Sequence, residues 1–132
     1  MQNEPPKTPD NGKKILCIED ERFISELYAR AMRKAGYDIK IVVDGKDALQ
    51  EALTDTYDII LLDIMIPSLT GFEILRKLRG KDASPVRAKV IVTTNLEQSE
   101  EDRAAIEKQA DGYIIKAEVT PKQLVKFLDQ LA

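Results

Sequence analysis

The chain has 132 residues, of which 43% are hydrophobic and 33% charged, and its net charge is −3. This size and composition are typical of one globular domain with a hydrophobic core, and they exclude a disordered or membrane-embedded chain. The small acidic surplus argues against a general nucleic-acid binder, while a single cysteine excludes an internal disulfide and favours a reducing, cytoplasmic compartment.

Short apolar runs alternate with longer segments of helical periodicity along the chain. Residues 1–12 contain three prolines and are mostly polar, which predicts a disordered tail, so the domain is expected over residues 13–132. The apolar runs predict strands over residues 14–18, 37–43, 57–62, 112–115 and from residue 89. The periodic segments predict a helix after each strand, at residues 22–35, from residue 44, at residues 72–78 and 99–109, and from a Thr120 cap followed by Pro121.

Five strand–helix units with apolar, non-alternating strands predict an α/β fold with a parallel sheet covered on both faces by helices. In such sheets, ligands bind just beyond the carboxyl ends of the strands. The residues that end the predicted strands carry polar side chains: Glu19 and Asp20 after the first, Asp63 after the third, Thr93 and Thr94 after the fourth, and Lys116 after the fifth. We therefore expect a site at this edge of the sheet.

The carboxylates of Glu19, Asp20 and Asp63 would repel one another at close range unless a cation lay among them. Because the chain has no histidine, its ligands are oxygens, which favours a hard ion such as Mg²⁺. An aspartate beside such an ion can attack a phosphoryl group and form an acyl phosphate. Lys116 and Thr94 have the chemistry to neutralise and contact that group.

Four segments resemble the motifs of bacterial response-regulator receiver domains, in the same order and spacing. They read ILCIEDE, YDIILLDIMIPSLTGFEIL, VIVTTNL and ADGYIIK. The resemblance covers everything except the tail. It implies a flavodoxin-like, doubly wound fold in which a five-stranded parallel sheet of order 2-1-3-4-5 is flanked by five helices.

The resemblance also implies roles at the acidic site. Asp63 corresponds to the phospho-acceptor and Asp20 to a direct ligand of Mg²⁺. Glu19 corresponds to an acidic partner that acts on the metal directly or through water. The backbone carbonyl of Met65 corresponds to the third protein ligand.

The remaining family positions fall on the last two strands. The motif VIVTTNL places the switch hydroxyl at Thr94 and leaves Thr93 at a normally apolar strand position. Lys116 corresponds to the lysine that pairs with the acceptor and its phosphate. Tyr113, three residues before Lys116, corresponds to the aromatic residue whose rotamer follows the switch hydroxyl.

The sequence departs from the family pattern after Lys116, where Ala117 replaces a proline that is normally preceded by a cis bond. Because a cis bond before a non-proline residue costs about 2.5–4 kcal/mol, we predict a trans bond and a rearranged loop. Gly71 is expected to adopt a backbone geometry that other residues resist. Met65 and Leu96, two residues after the acceptor and the switch, cannot orient an attacking water, which predicts slow self-dephosphorylation.

The resemblance implies a phospho-accepting switch that takes its phosphoryl group from a sensor histidine kinase or a histidine phosphotransfer protein. Such a domain is not an enzyme beyond its own phosphorylation and dephosphorylation. We expect a downstream protein target, no direct nucleic-acid or membrane contact, and a monomer or a phosphorylation-dependent dimer. With no output domain in the sequence, a free-standing receiver is expected, although a fragment of a larger regulator is an alternative.

Two other interpretations remain at this stage. The first is a receiver-like interaction module that is never phosphorylated, which the replacement at Ala117 allows. The second is a flavin-binding protein of similar topology. Acids rather than a Ser/Thr/Gly-rich phosphate loop follow the first strand, which argues against a flavin.

Overall fold

The computed structural model describes residues 11–80 and 86–131. Residues 1–10 of the predicted tail and Ala132 lie outside the described residues. Strands and helices alternate along the chain, in the order β1 Lys14–Ile18, α1 Arg22–Lys34, β2 Asp38–Val42, α2 Gly45–Ala52, β3 Ile59–Asp63, α3 Gly71–Arg79, β4 Lys89–Thr94, α4 Glu100–Gln109, β5 Gly112–Ile115 and α5 Pro121–Leu131. A short 3₁₀-helix, Lys116–Glu118, joins β5 to the loop before α5.

The five strands form one parallel sheet of order β2-β1-β3-β4-β5. The predicted fold class and strand order are therefore confirmed. β3 lies at the centre of the sheet, and all five of its residues are buried. In its register with β4, Asp63 pairs with Thr93, so the acceptor candidate and the end of β4 lie at the same edge.

Each face of the sheet packs against its own set of helices. Ile60 and Leu62 of β3 belong to the cluster that also contains Leu75 of α3 and Ile106 of α4. Leu61 belongs to the opposite cluster, whose other buried side chains include Tyr28 and Met32 of α1 and Leu124 and Leu128 of α5. Because successive strand side chains point to opposite faces, an apolar run without alternation is buried on both sides.

Helices α2, α3 and α5 begin at side chains that accept hydrogen bonds from the backbone of the first turn. The carboxylate of Asp44 accepts from the backbone of Lys46 and Asp47 at the start of α2, and Thr70 accepts from Glu73 at the start of α3. The predicted Thr120 cap is confirmed, because its hydroxyl accepts from the backbone of Gln123, and the Gln123 side chain accepts in return from the Thr120 backbone.

Helix α4 is held to the domain by little apolar surface. Of its ten residues only Ile106 is buried, whereas α3 buries Ile74, Leu75 and Leu78.

Within the part of the chain that the structure describes, none of the helices has the length and apolar character needed to cross a membrane.

Candidate functional site at the carboxyl edge of the sheet

Three charged side chains from three different strand ends meet beneath the surface of the carboxyl edge. Glu19 follows β1, Asp63 ends β3, and Lys116 follows β5. Their exposed fractions are 1%, 2% and 8%, respectively. Charged side chains this deeply buried are rare unless they are paired, so the three must be read as one unit.

Lys116 is the cation shared by the two buried acids. Its Nζ lies 3.1 Å from Asp63 Oδ2 and also forms an ion pair with Glu19 Oε1. Burial raises the pKa of Glu19 to about 7, against the opposing effect of Lys116. Burial alone would lower the pKa of Lys116, but the two carboxylates outweigh it and raise that pKa above its usual value. The ammonium group is therefore charged at neutral pH.

The predicted metal residues are brought together. Glu19, Asp20 and Asp63 each offer a carboxylate oxygen, and these oxygens all lie within 4.8 Å of one another. Asp20 is exposed, while the other two are buried, so the group opens toward solvent on one side. An all-oxygen cluster of this charge and spacing fits a hard divalent cation such as Mg²⁺, which uses few protein carboxylates and keeps water or phosphate oxygens at its other positions.

The loop after β3 fixes the orientation of Asp63. The backbone N–H of Met65 donates to Asp63 Oδ1 at 3.0 Å, while Lys116 contacts Oδ2. Both oxygens of the carboxylate thus have a defined donor, and the Met65 backbone lies beside the acid cluster. The Met65 side chain is 70% exposed and takes no part in this contact.

Gly71 is required for a different reason from the one expected. Its φ is not in the left-handed region, so no special backbone geometry is involved. Instead, a Cβ at this position would lie 2.5 Å from the backbone of both Asp63 and Ile64. The N–H of Gly71 also donates to the carbonyl of Ile64 at 3.1 Å. The close approach of α3 to the end of β3 is what excludes a side chain here.

The two adjacent threonines of β4 are both buried and face opposite sides of the sheet. Thr93 pairs with Asp63, whereas Thr94 pairs with Ile115 of β5. The Thr94 hydroxyl donates to the carbonyl of Leu96 at 2.9 Å. Among the described residues, no hydrogen bond joins Thr94 to Asp63, so this hydroxyl is turned toward the loop between β4 and α4.

Gln98 connects Thr94 to Tyr113, and sequence reasoning missed it. Its side-chain Nε2 donates to Thr94 Oγ1 at 3.1 Å, and its backbone N–H donates to the Tyr113 hydroxyl at 3.1 Å. The guanidinium of Arg103 lies 4.7 Å from the centroid of the Tyr113 ring. Nothing in the acidic stretch 97–102 distinguishes this glutamine in the sequence.

The bond between Lys116 and Ala117 is trans, as predicted. The chain turns there in the 3₁₀-helix, and the N–H of Val119 donates to the carbonyl of Lys116. With this backbone, Lys116 reaches both buried carboxylates.

Comparison with known proteins gives a consistent result. The family model of the response regulator receiver domain matches residues 15–129. The chain is 37% identical over 103 residues to the response regulator ArlR of Staphylococcus saprophyticus, a match that covers 78% of this chain and 45% of that protein. The chain thus spans less than half the length of the curated relatives it matches.

Two solved structures are similar over nearly the whole domain. The receiver domain of the Francisella response regulator 1452 has a TM-score of 0.78 and 27% identity, and the match covers 90% of this chain and 95% of that one. The BeF₃-activated N-terminal receiver domain of RstA from Klebsiella pneumoniae has a TM-score of 0.74 and 28% identity, covering 89% and 96%.

Proposed function

We propose that Asp63 is the phospho-acceptor of this chain, which belongs to the response regulator receiver domains of two-component signalling. The observation that carries the assignment is the buried Asp63 carboxylate at the end of β3, held by Lys116 and placed beside two further carboxylates. Structural acids are seldom gathered in this way, since like charges destabilise one another.

The proposed reaction is a transfer from nitrogen to oxygen. A carboxylate oxygen of Asp63 attacks the phosphorus of a partner's phosphohistidine, the P–O bond forms, and the P–N bond breaks. The electron pair of the broken bond returns to the imidazole. Lys116 and the Met65 N–H hold the carboxylate in one orientation before attack, so little reorganisation is needed.

Glu19, Asp20 and Asp63, with the Met65 carbonyl as a further ligand, are proposed to hold Mg²⁺. When bound, Mg²⁺ supplies charge neutralisation for the phosphoryl oxygens. The charge of Lys116 remains available to the acceptor, because the raised pKa keeps its ammonium protonated.

The response to phosphorylation is proposed to pass through Thr94. Its hydroxyl rotates from the Leu96 carbonyl toward the new phosphoryl oxygens, and Tyr113 follows because Gln98 links the two side chains. The change then reaches the surface of α4, β5 and α5, where it alters the affinity for a downstream protein. The donor is a sensor histidine kinase or a histidine phosphotransfer protein, and the location is the cytoplasm.

The proposal is tested by incubating wild type and Asp63→Asn with phosphoramidate, with Mg²⁺ or with EDTA. We expect the mass of one phosphoryl group on wild type with Mg²⁺ only, and none on Asp63→Asn. Asp58→Asn is the matched control, since Asp58 contacts the start of β1 rather than the site. Failure of wild type to take up phosphate would favour the non-phosphorylated interaction module.

The lifetime of the acyl phosphate is expected to be long. Met65 and Leu96 are 70% and 75% exposed, and neither apolar side chain can orient a water for attack on phosphorus. Met65→Asn introduces a hydrogen-bonding side chain there and should accelerate hydrolysis, followed as loss of the phosphorylated mass. An unchanged lifetime in Met65→Asn would contradict this explanation.

A further inference from the structure

A groove of about 570 Å³ lies between α1 and α5, away from the site around Asp63. None of the proposed site residues lines it. Its floor is apolar and includes Leu27 and Ala31 of α1 and Val125 of α5, each of which is only partly covered by the domain itself. The groove is therefore a concave, partly exposed apolar surface between two helices.

Two rows of basic side chains border this floor. Arg30 and Lys34 lie one helical turn apart on α1, and Lys122 and Lys126 lie one turn apart on α5. Residues at this spacing share one face of a helix. All four are exposed, and no acidic side chain among residues 11–80 and 86–131 lines the groove.

None of these four cations forms an ion pair with any residue that the structure describes. Elsewhere on the domain, basic side chains such as Arg79, Arg87 and Arg103 lie against carboxylates. What distinguishes the groove is that four positive charges without an ion-pair partner among the described residues surround one apolar floor, in a chain whose net charge is −3. An occupant that carries negative charge would lower their mutual repulsion.

The shape of the surface decides what kind of occupant fits. A flat anionic membrane would meet the cations first and leave the recessed apolar floor uncovered. A nucleic-acid backbone would use the cations but gain nothing from the apolar floor. A third helix fits both features, because helices pack into the groove between two others, and the small side chains of Ala31 and Ala35 let its backbone approach closely.

We propose that this groove binds an amphipathic helix of a partner protein, one whose apolar stripe is flanked by aspartate or glutamate side chains. The apolar stripe covers Leu27, Ala31 and Val125, and the flanking acids pair with the rows on α1 and α5. This interface does not depend on phosphorylation of Asp63, so its test is independent of the proposed switch.

The probe is a synthetic helical peptide of about 15 residues, long enough for roughly four turns. It has leucine at i, i+3, i+4 and i+7 positions and glutamate on both sides of that stripe. Binding to the full chain is measured by fluorescence anisotropy at low and high salt and mapped by amide chemical shifts. We expect saturable binding, shifts confined to α1 and α5, and weaker binding at high salt.

Two peptides and two protein variants make the result specific. A peptide with lysine in place of glutamate, and one with serine in place of leucine, should both fail to bind. Lys122→Glu with Lys126→Glu should weaken binding of the acidic peptide about tenfold or more. Arg76→Glu with Lys77→Glu, on the exposed surface of α3, changes the net charge equally and should leave binding unchanged.

The proposal is overturned if the acidic peptide does not bind, if the lysine peptide binds as tightly, or if the shifts fall outside α1 and α5. Phosphatidylglycerol vesicles and duplex DNA are tested as rival occupants. The proposal is also overturned if either binds wild type and binds the Lys122→Glu, Lys126→Glu variant more weakly, while the acidic peptide does not bind. Circular dichroism of each variant confirms that the fold is retained before binding is compared.

Discussion

Replacing Lys116 by methionine should cost the domain much of its stability in the absence of metal. The Nζ of this side chain is the ion-pair partner of both Glu19 and Asp63, and all three residues are at most 8% exposed. Removing one partner of a buried ion pair costs about 3–5 kcal/mol, because a charge is left without compensation. Methionine keeps most of the apolar stem, so the change isolates the charge.

Because Glu19 can take up a proton when Lys116 is removed, we expect a loss of stability near the lower end of this range of about 3–5 kcal/mol. The pKa of Glu19 is about 7 with Lys116 present and rises further without it, so in the variant at pH 7 the Glu19 carboxyl takes up a proton and its charge is removed. We expect a loss of about 3 kcal/mol in the free energy of unfolding in EDTA. Because the pKa of Glu19 is higher in the variant than in wild type, only the variant gains this proton as pH falls toward 7. The loss should therefore shrink as pH is lowered toward 7 and level off below it, where Glu19 is protonated in both proteins.

Added Mg²⁺ should compensate for the missing lysine. Metal bound only to the folded state at a hundredfold excess over its dissociation constant stabilises by about 2.7 kcal/mol. The measurement is urea unfolding of wild type and Lys116→Met at pH 7.5, in EDTA and in Mg²⁺, with equal slopes required for comparison. Lys77→Met, an exposed lysine on α3, is the control and should change stability by less than about 0.5 kcal/mol.

A loss of under about 1 kcal/mol in EDTA would refute the reasoning, since it would mean that the two buried carboxylates do not need Lys116. An equal free energy of unfolding for Lys116→Met in EDTA and in Mg²⁺ would show that the acids do not act as a metal site.

Three further outcomes follow from individual contacts. Gln98→Ala removes one hydrogen bond that holds Thr94 toward its loop, so the affinity for BeF₃⁻ with Mg²⁺ should rise about fivefold, measured by fluorescence titration. Gly71→Ala places a Cβ against backbone at 2.5 Å and should cost about 1–3 kcal/mol in urea unfolding. Tyr37→Phe loses a 2.6 Å hydrogen bond to Asp129, about 1 kcal/mol. Because burial and Asp129 raise the pKa of Tyr37, wild type loses this stability as pH rises above about 10, and the variant should lose less there.

For each of these three variants, one result would contradict the expected outcome. Gln130→Ala, on the exposed surface of α5, should leave BeF₃⁻ affinity unchanged, and an equal effect there would contradict the role of Gln98. Wild-type stability in Gly71→Ala would mean that α3 moves away from β3 at little cost. A pH profile of Tyr37→Phe that parallels wild type above pH 10 would show that another group titrates.

The strands and their order followed from features that the sequence carries locally. β1 and β5 begin and end where predicted, because uninterrupted apolar runs stop at charged or small residues. The start of β3 was predicted two residues early. Tyr57 and Asp58 directly precede the apolar run and were therefore included in the predicted strand. Asp58 hydrogen-bonds to Lys14 at the start of β1, and the regular pairing of β3 with β1 begins only at Ile59.

The residues of the acidic site were predicted from their types and their places at the strand ends. The contacts among those residues were not predicted. That Glu19 and Asp63 share one lysine depends on the distances between three strand ends, which only the assembled sheet sets. Gln98 lies in a polar stretch whose members are indistinguishable until the loop is folded. Gly71 was identified from the sequence, but for the wrong reason. The close packing of α3 against the end of β3 makes a glycine necessary here, not a local backbone preference.

Because α4 buries little apolar surface, its amino-acid sequence can vary more during evolution than that of the other helices. Burial of Ile106 contributes about 1.5–3 kcal/mol, and no other residue of the helix is buried. Almost every position of α4 is thus open to substitution without disturbing the sheet or the acids at its edge. Recognition of new partners can be acquired on this helix while the chemistry beneath it stays fixed.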